Sequence, residues 1–221
     1  TLTDDHSELF TIKPANQWRD EAAAMPAPAY LFDEFWLEGE IALLFGRSGK
    51  TTLAVQIAES IASGNAVGPL RMTAKAQKVI YLDLNLTAKQ FATRYMADLE
   101  GDGYAFSPNF QRVEMPETTV IQGARGARKM ARALEWLVNS TGARVLVIDN
   151  TTCFRRSSHG TIGEVLLMRE LNRLKRKLRL SILVVANNEM PRFSDEISVR
   201  DLGASAILAN FADSVFAIGL S

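Results

Sequence analysis

The chain has 221 residues, 47% of them hydrophobic, with 25 basic and 25 acidic side chains that cancel to a net charge of zero. That apolar content suffices for one globular domain with a sizeable core, and the balanced charge excludes a whole-molecule field drawing the protein to nucleic acid or anionic lipid. No apolar run is long enough to span a bilayer, and the single Cys153 excludes an internal disulfide.

Asp4, Asp5, His6 and Glu8 stand where a signal peptide would need positive charge followed by an apolar stretch. A cytoplasmic protein without membrane contact is therefore expected. With no Cys–His arrangement in view, Cys153 reads as a packing residue rather than a nucleophile.

Residues 1–38 read as an N-terminal segment packing on the core, and residues 39–221 as the main domain. Asn16–Ala24 is patterned as a short helix, broken by Pro26-Ala27-Pro28. Leu31-Phe32 and Phe35-Trp36-Leu37 then give an aromatic approach to the first core strand. Such clusters pack on the domain they precede; cover for an adenine is the alternative when a phosphate loop is near.

From Glu40 onward, strand-like and helix-like runs alternate. Strands are expected at Ile41–Phe45, Lys78–Leu84, Gln111–Glu114, Arg144–Ile148, Ser181–Ala186 and Ser214–Ile218. Helices are expected at Lys50–Ser63, Ala88–Leu99, Gly123–Val138 and Ile162–Leu178. Continuous apolar runs such as Val145-Leu146-Val147-Ile148 mark a parallel sheet buried on both faces. The alternation predicts an α/β fold, a three-layer α/β/α sandwich with a mainly parallel central sheet.

The first strand breaks into Gly46-Arg47-Ser48-Gly49-Lys50-Thr51-Thr52 and then a helix pattern. In that context the motif predicts a phosphate loop, because glycine-turn and helix-start N–H groups converge on an anion. Lys50 would reach the β- and γ-phosphates, and Thr51 would place its hydroxyl on Mg²⁺. An ordinary glycine turn capped by Ser48 is the competing reading. The usual loop has its first glycine five residues before the second, whereas Gly46 precedes Gly49 by three. Either the loop is short and grips phosphate poorly, or residues are missing from the chain as given; the intact flanks favour the second.

Asp149 ends the apolar run Val145–Ile148, at the sheet edge where open α/β folds bind ligands. It is expected to hold Mg²⁺ opposite Thr51. Two further strands end in amides, Asn85 and Asn187. Asn85 can hydrogen-bond a water but cannot take its proton. Asn187 can contact a γ-phosphate. Thr161 and Glu164 form a capping box for the helix from Ile162. The basic remainder of that helix, Arg169 to Arg179, reads as a solvated face.

These residues resemble the RecA-type AAA-family ATPases, close to the hexameric RepA-like helicases and their plasmid- and transposon-borne relatives. The resemblance covers roughly residues 31–221. It rests on Gly46–Thr52, on Tyr81–Thr87 with Lys89-Gln90-Phe91 and Arg94-Tyr95, on Val145–Asn150, and on Asp201–Ser205 with Asn210–Gly219. It implies a RecA-like P-loop NTPase fold with ATP and Mg²⁺ at the carboxyl edge, in a homo-oligomeric ring whose neighbours complete each site. It also implies that the loops Phe154–Gly160 and Met190–Ser194 face single-stranded DNA, through Arg155, Arg156 and Arg192; a pair of ordinary loops is the competing reading. His159 in the first of these reads as a loop residue. Arg192 and Arg200 are the arginine-finger candidates. Relatives carry Glu at the position of Asn85 and usually His or Gln at that of Asn187. The expectation is a DNA-associated ATP-binding domain of replication or mobile-element mobilisation, with slow or impaired hydrolysis. A non-hydrolysing regulatory or assembly module is the alternative; a small-molecule kinase is disfavoured, since neither an arginine-rich lid nor an acceptor-site carboxylate is visible.

Overall fold

The computed structural model describes residues 10–96, 103–116, 123–154, 162–187 and 197–219. Their order is α1 (Ala15–Ala23), β1 (Tyr30–Phe32), β2 (Trp36–Leu37), β3 (Ile41–Gly46), α2 (Lys50–Ser63), β4 (Val79–Asp83), α3 (Ala88–Met96) and β5 (Phe110–Glu114). There follow α4 (Gly123–Thr141), β6 (Val145–Asp149), a 3-10 turn (Thr151–Phe154), α5 (Ile162–Leu178), β7 (Ser181–Val185), a 3-10 segment (Val199–Phe211) and β8 (Ser214–Ile218).

Six strands form one sheet in the order β5-β4-β6-β7-β3-β8. Every pairing in it is parallel. Strands β3, β4, β6 and β7 are buried along their whole length. Their unbroken apolar runs follow from helices covering both faces of a parallel sheet. On one face α2 and α3 close over Leu44, Tyr81, Val147 and Val185. On the other α4, α5 and the 3-10 segment close over Leu43, Ile80, Leu146 and Val184. The expected three-layer α/β/α arrangement is present.

Helix α2 stops where Gly64 takes a left-handed conformation at φ 81°. The N–H groups of Gly64 and Asn65 both donate to the Ser60 carbonyl, closing the last turn. The aromatic approach is structural. Trp36 is fully buried and Phe32 nearly so, and the rings of Phe32, Phe35 and Phe216 pack at a tilt with centroid distances of 5.6–5.8 Å.

Asp213 fastens helix to sheet. Its Oδ2 accepts from the Ile41 N–H at 2.7 Å and from Lys175 Nζ at 2.6 Å. Burial pushes this carboxyl up, but the Lys175 ammonium and the Ile41 N–H outweigh it and hold the group below its usual value. A depressed carboxylate contributes stability above its unfolded value, lost as pH falls through its folded one. Asp213→Asn should therefore cost about 1 kcal/mol at neutral pH, since the pair is partly solvated. That deficit should shrink as pH drops from about 5 to 3, read from urea midpoints of both proteins. A deficit independent of pH would assign the loss to packing instead.

Candidate functional site

The carboxyl edge of the sheet brings together most of the residues singled out above. Gly46 is the last residue of β3, and only Arg47 and Ser48 separate it from Gly49, which begins α2 as its N-cap. The chain is continuous here, so of the two explanations for the loop's length the structure contains the short one. Ser48 does not cap the helix: no side chain caps α2. That is the arrangement in which helix-start N–H groups are offered to an anion. Arg47, Ser48, Gly49 and Thr52 are exposed, and Lys50 and Thr51 half-buried.

The short loop leans on β8. A Cβ on Gly46 would meet the Ile218 carbonyl oxygen at 2.2 Å, and Gly46 has φ 150°. Glycine is required there by both space and backbone conformation. Gly49, at φ 75°, lies under the Ile218 side chain. Lys50 Nζ donates to the Gly46 carbonyl at 2.6 Å, holding the ammonium over its own loop. Burial pulls the lysine below its ordinary value, with the Asp149 charge opposing.

Asp149, the last residue of β6, is fully buried. Its Oδ2 accepts from the Tyr81 hydroxyl at 2.6 Å, and the Thr51 side chain lies close enough to favour the ionised carboxylate. Its Oδ1 is buried with no partner. Burial pushes this carboxyl up, while the Tyr81 hydrogen bond and the nearby Thr51 side chain oppose the shift. An ionised carboxylate so placed costs free energy unless a cation meets it. The orphaned oxygen beside the Thr51 hydroxyl thus fits a hard divalent cation such as Mg²⁺. Among the described residues no group of three or more His, Cys, Asp or Glu could cage a metal. A cation here would take its remaining oxygens from water and phosphate, as Mg²⁺ does.

A cavity of about 320 Å³ is lined by Gly49, Lys50, Thr51 and Thr52 on one side and by Arg94, Asp149, Asn150 and Asn187 on the other. Asn187, just past β7, therefore faces the space beside Lys50 and Thr51. Asn85 does not line that cavity; it is exposed on the turn after β4. Asp83 precedes it and is 1% exposed. Its Oδ1 accepts the N–H groups of Asn85 and Leu86, and its Oδ2 accepts from Arg112 Nε at 2.9 Å. Asp83 thus holds the turn, with both carboxylate oxygens already engaged.

Arg94 has no role assigned by its sequence context. It lies in the last turn of α3, which folds back beside α2, and chain spacing alone does not reveal that approach. A larger groove of about 980 Å³ runs along α2, past Val55, Glu59 and Ser63, and is closed by Tyr95, Tyr104 and Phe106. It shares Thr52 and Arg94 with the smaller cavity. Lys50, Thr51 and Asp149, the residues expected to meet phosphate and metal, all line the smaller cavity.

Glu164 is fully buried near the same edge. It accepts from Thr151 Oγ1 at 2.7 Å and from Ser205 Oγ at 3.1 Å. The turn after β6 is thereby tied to α5 and the 3-10 segment. Thr161, its expected capping partner, lies outside the described residues. So do Arg155, Arg156, His159 and Arg192, and the side chain of Cys153. Arg200 is exposed within the 3-10 segment.

The profile of a family described as an AAA domain matches residues 6–186. Comparison with curated proteins finds no match. Among solved structures, a KaiC-like protein from the hyperthermophilic archaeon Pyrococcus horikoshii OT3 is similar at a TM-score of 0.57 and 18% identity, over 86% of this chain and 76% of that one. At that identity the likeness establishes a shared fold.

Proposed function

The chain belongs to the AAA domain family, and from that premise we propose that it binds ATP with Mg²⁺ at the carboxyl edge of its RecA-like sheet and serves a DNA-associated process, with slow or impaired hydrolysis. The observation that carries the nucleotide reading is the unpartnered, buried Asp149 Oδ1 beside Thr51 and Lys50. When bound, Mg²⁺ would neutralise phosphate charge from between Thr51 and Asp149. Lys50 would exchange the Gly46 carbonyl for phosphate oxygens. Arg94 and Asn187 would contact the same phosphates, and the groove beyond Thr52 leaves room for the nucleoside.

Slow turnover is argued from the water-activating position. Asn85 lacks a basic oxygen, and the neighbouring Asp83 is committed to Arg112. The two-residue connection from Gly46 to Gly49 also offers fewer N–H donors to a phosphate than a full loop. Both features favour binding over hydrolysis, and they equally support a module that switches assembly on ATP without turning it over. A ring resembling the RepA-like helicases, a neighbour's Arg200 or Arg192 at the γ-phosphate, and DNA contact through Arg155, Arg156 and Arg192 are further parts of the proposal.

The test is ATP binding and steady-state phosphate release on one sample, with and without single-stranded DNA. Lys50→Ala should weaken ATP by about 2–3 kcal/mol, or about 30- to 150-fold, through lost charge-assisted hydrogen bonds. Turnover that rises with DNA and disappears in Lys50→Ala would support a motor. Binding without turnover would support the switch. ATP affinity unchanged by Lys50→Ala would sink the nucleotide reading.

A further inference from the structure

The strongest charged feature outside the nucleotide site is the outer face of α4. Arg125, Arg128, Lys129 and Arg132 are spaced i, i+3, i+4 and i+7, so they share one face of the helix, and all four are exposed. Together they line a shallow cleft of about 440 Å³. Trp136, four residues past Arg132, continues the same stripe and is 70% exposed.

Among the described residues these four cations have no acidic partner, whereas three of the five cations of α5 do. Lys175 pairs with Asp213, and Arg173 and Lys177 pair with Glu135. Glu135 is the one acidic residue of α4, and it is turned to α5. Among the described residues, no acid pairs with the four α4 cations. Like charges at i, i+3 and i+4 destabilise a helix, and the molecule as a whole is neutral. The stripe is thus a local field with an energetic cost that folding does not explain.

We infer that the outer face of α4 binds the backbone of single-stranded nucleic acid, with Trp136 stacking on a base. Three arginines and a lysine in a row suit successive phosphates, since the guanidinium fork matches phosphate oxygens. An exposed indole adds stacking that only unpaired bases offer. A membrane surface fits worse, because the apolar face of α4, through Ala127, Met130, Ala131, Leu134 and Val138, is buried in the core. Only Trp136 is left to enter a bilayer. An acidic protein would satisfy the charges but would not need the indole.

The inference does not rest on the ATP site, so Lys50→Ala should keep the interaction. The experiment is fluorescence anisotropy of a labelled oligothymidylate with the full chain, titrated over a salt series without nucleotide. Single-strand binding falls with salt at a slope of about 0.7 per neutralised phosphate. The double variant Arg128→Ala with Arg132→Ala should therefore lower the slope by about 1.4 and the affinity at 0.1 M salt by about 25-fold. Trp136→Ala should weaken binding at least about fivefold and remove the quenching of tryptophan emission by bases. Arg169→Ala with Arg176→Ala, on α5, is the control and should change neither quantity. Affinity and slope unchanged in the α4 double variant would overturn the proposal. So would polyglutamate competing as well as the oligonucleotide with no effect of Trp136→Ala, or binding to phosphatidylserine vesicles without binding to DNA. The positions substituted on α4 and α5 are all exposed, so an unchanged melting temperature in those variants checks that folding is intact.

Discussion

Arg112→Ala should destabilise the domain by about 3–5 kcal/mol, the usual penalty for leaving a buried carboxylate without its partner. Arg112 sits on the edge strand β5 with a side chain 16% exposed, and it meets Asp83, which is 1% exposed. Its two terminal nitrogens donate to Glu114 Oε2 at 3.0 Å and to the Leu86 carbonyl. The guanidinium also lies over the Phe91 ring at 4.8 Å. One side chain thus joins β5, the turn after β4 and helix α3. For a domain of this size the loss corresponds to a melting temperature lower by about 6–20 °C. Arg112→Lys should recover only part of it, because an ammonium cannot serve the same fork. The double replacement Arg112→Met with Asp83→Asn should be milder than Arg112→Ala alone, since neither partner is then left as a buried charge. Thermal melts of the three variants decide the matter, and a loss under about 1 kcal/mol for Arg112→Ala would mean that water compensates Asp83.

Asn85→Glu should raise ATP turnover, by up to about 10²- to 10⁴-fold, the range a positioned general base contributes. The turn after β4 is held at the right edge for this. Asp83 is in register with Asp149 on the neighbouring strand, and the Leu84 N–H donates to the Asp149 carbonyl at 2.7 Å. Asn85 follows one residue later, on a backbone fixed by Asp83 Oδ1. The measurement is phosphate release with Mg²⁺ and saturating ATP, with Lys50→Ala in the same background as the blank. Unchanged turnover with ATP still bound would show that water activation is not what limits the reaction. A rise retained in the Lys50→Ala background would point to a contaminating activity.

The regular elements were legible because each carries its own pattern. Lys50–Ser63, Ile162–Leu178 and Ser214–Ile218 are the spans read from sequence, and the other strands differ by a residue or two at their ends. Parallel pairing was legible too, since Val145–Ile148 and Ile182–Val185 are apolar on both faces. The pair β1 and β2 was not. It is short, and Leu31, Phe32 and Trp36 hold it through contacts with residues far along the chain. The 3-10 segment Val199–Phe211 was missed for a related reason: its non-helical Gly203, at φ 55°, interrupts any periodicity.

Lys50, Thr51 and Asp149 were nameable as site residues from sequence alone. Their chemistry depends on local order, a loop leading into a helix and a carboxylate ending an apolar strand, and local order is written in neighbouring residues. Tertiary structure decided what surrounds them. It brought Tyr81 onto Asp149, placed Arg94 beside Thr52, committed Asp83 to Arg112, and, among the described residues, gave acidic partners to Arg173, Lys175 and Lys177 of α5 but to none of the four cations of α4. Each of these depends on distances between residues tens of positions apart, set by strand order and helix packing, and composition or spacing carries no record of them.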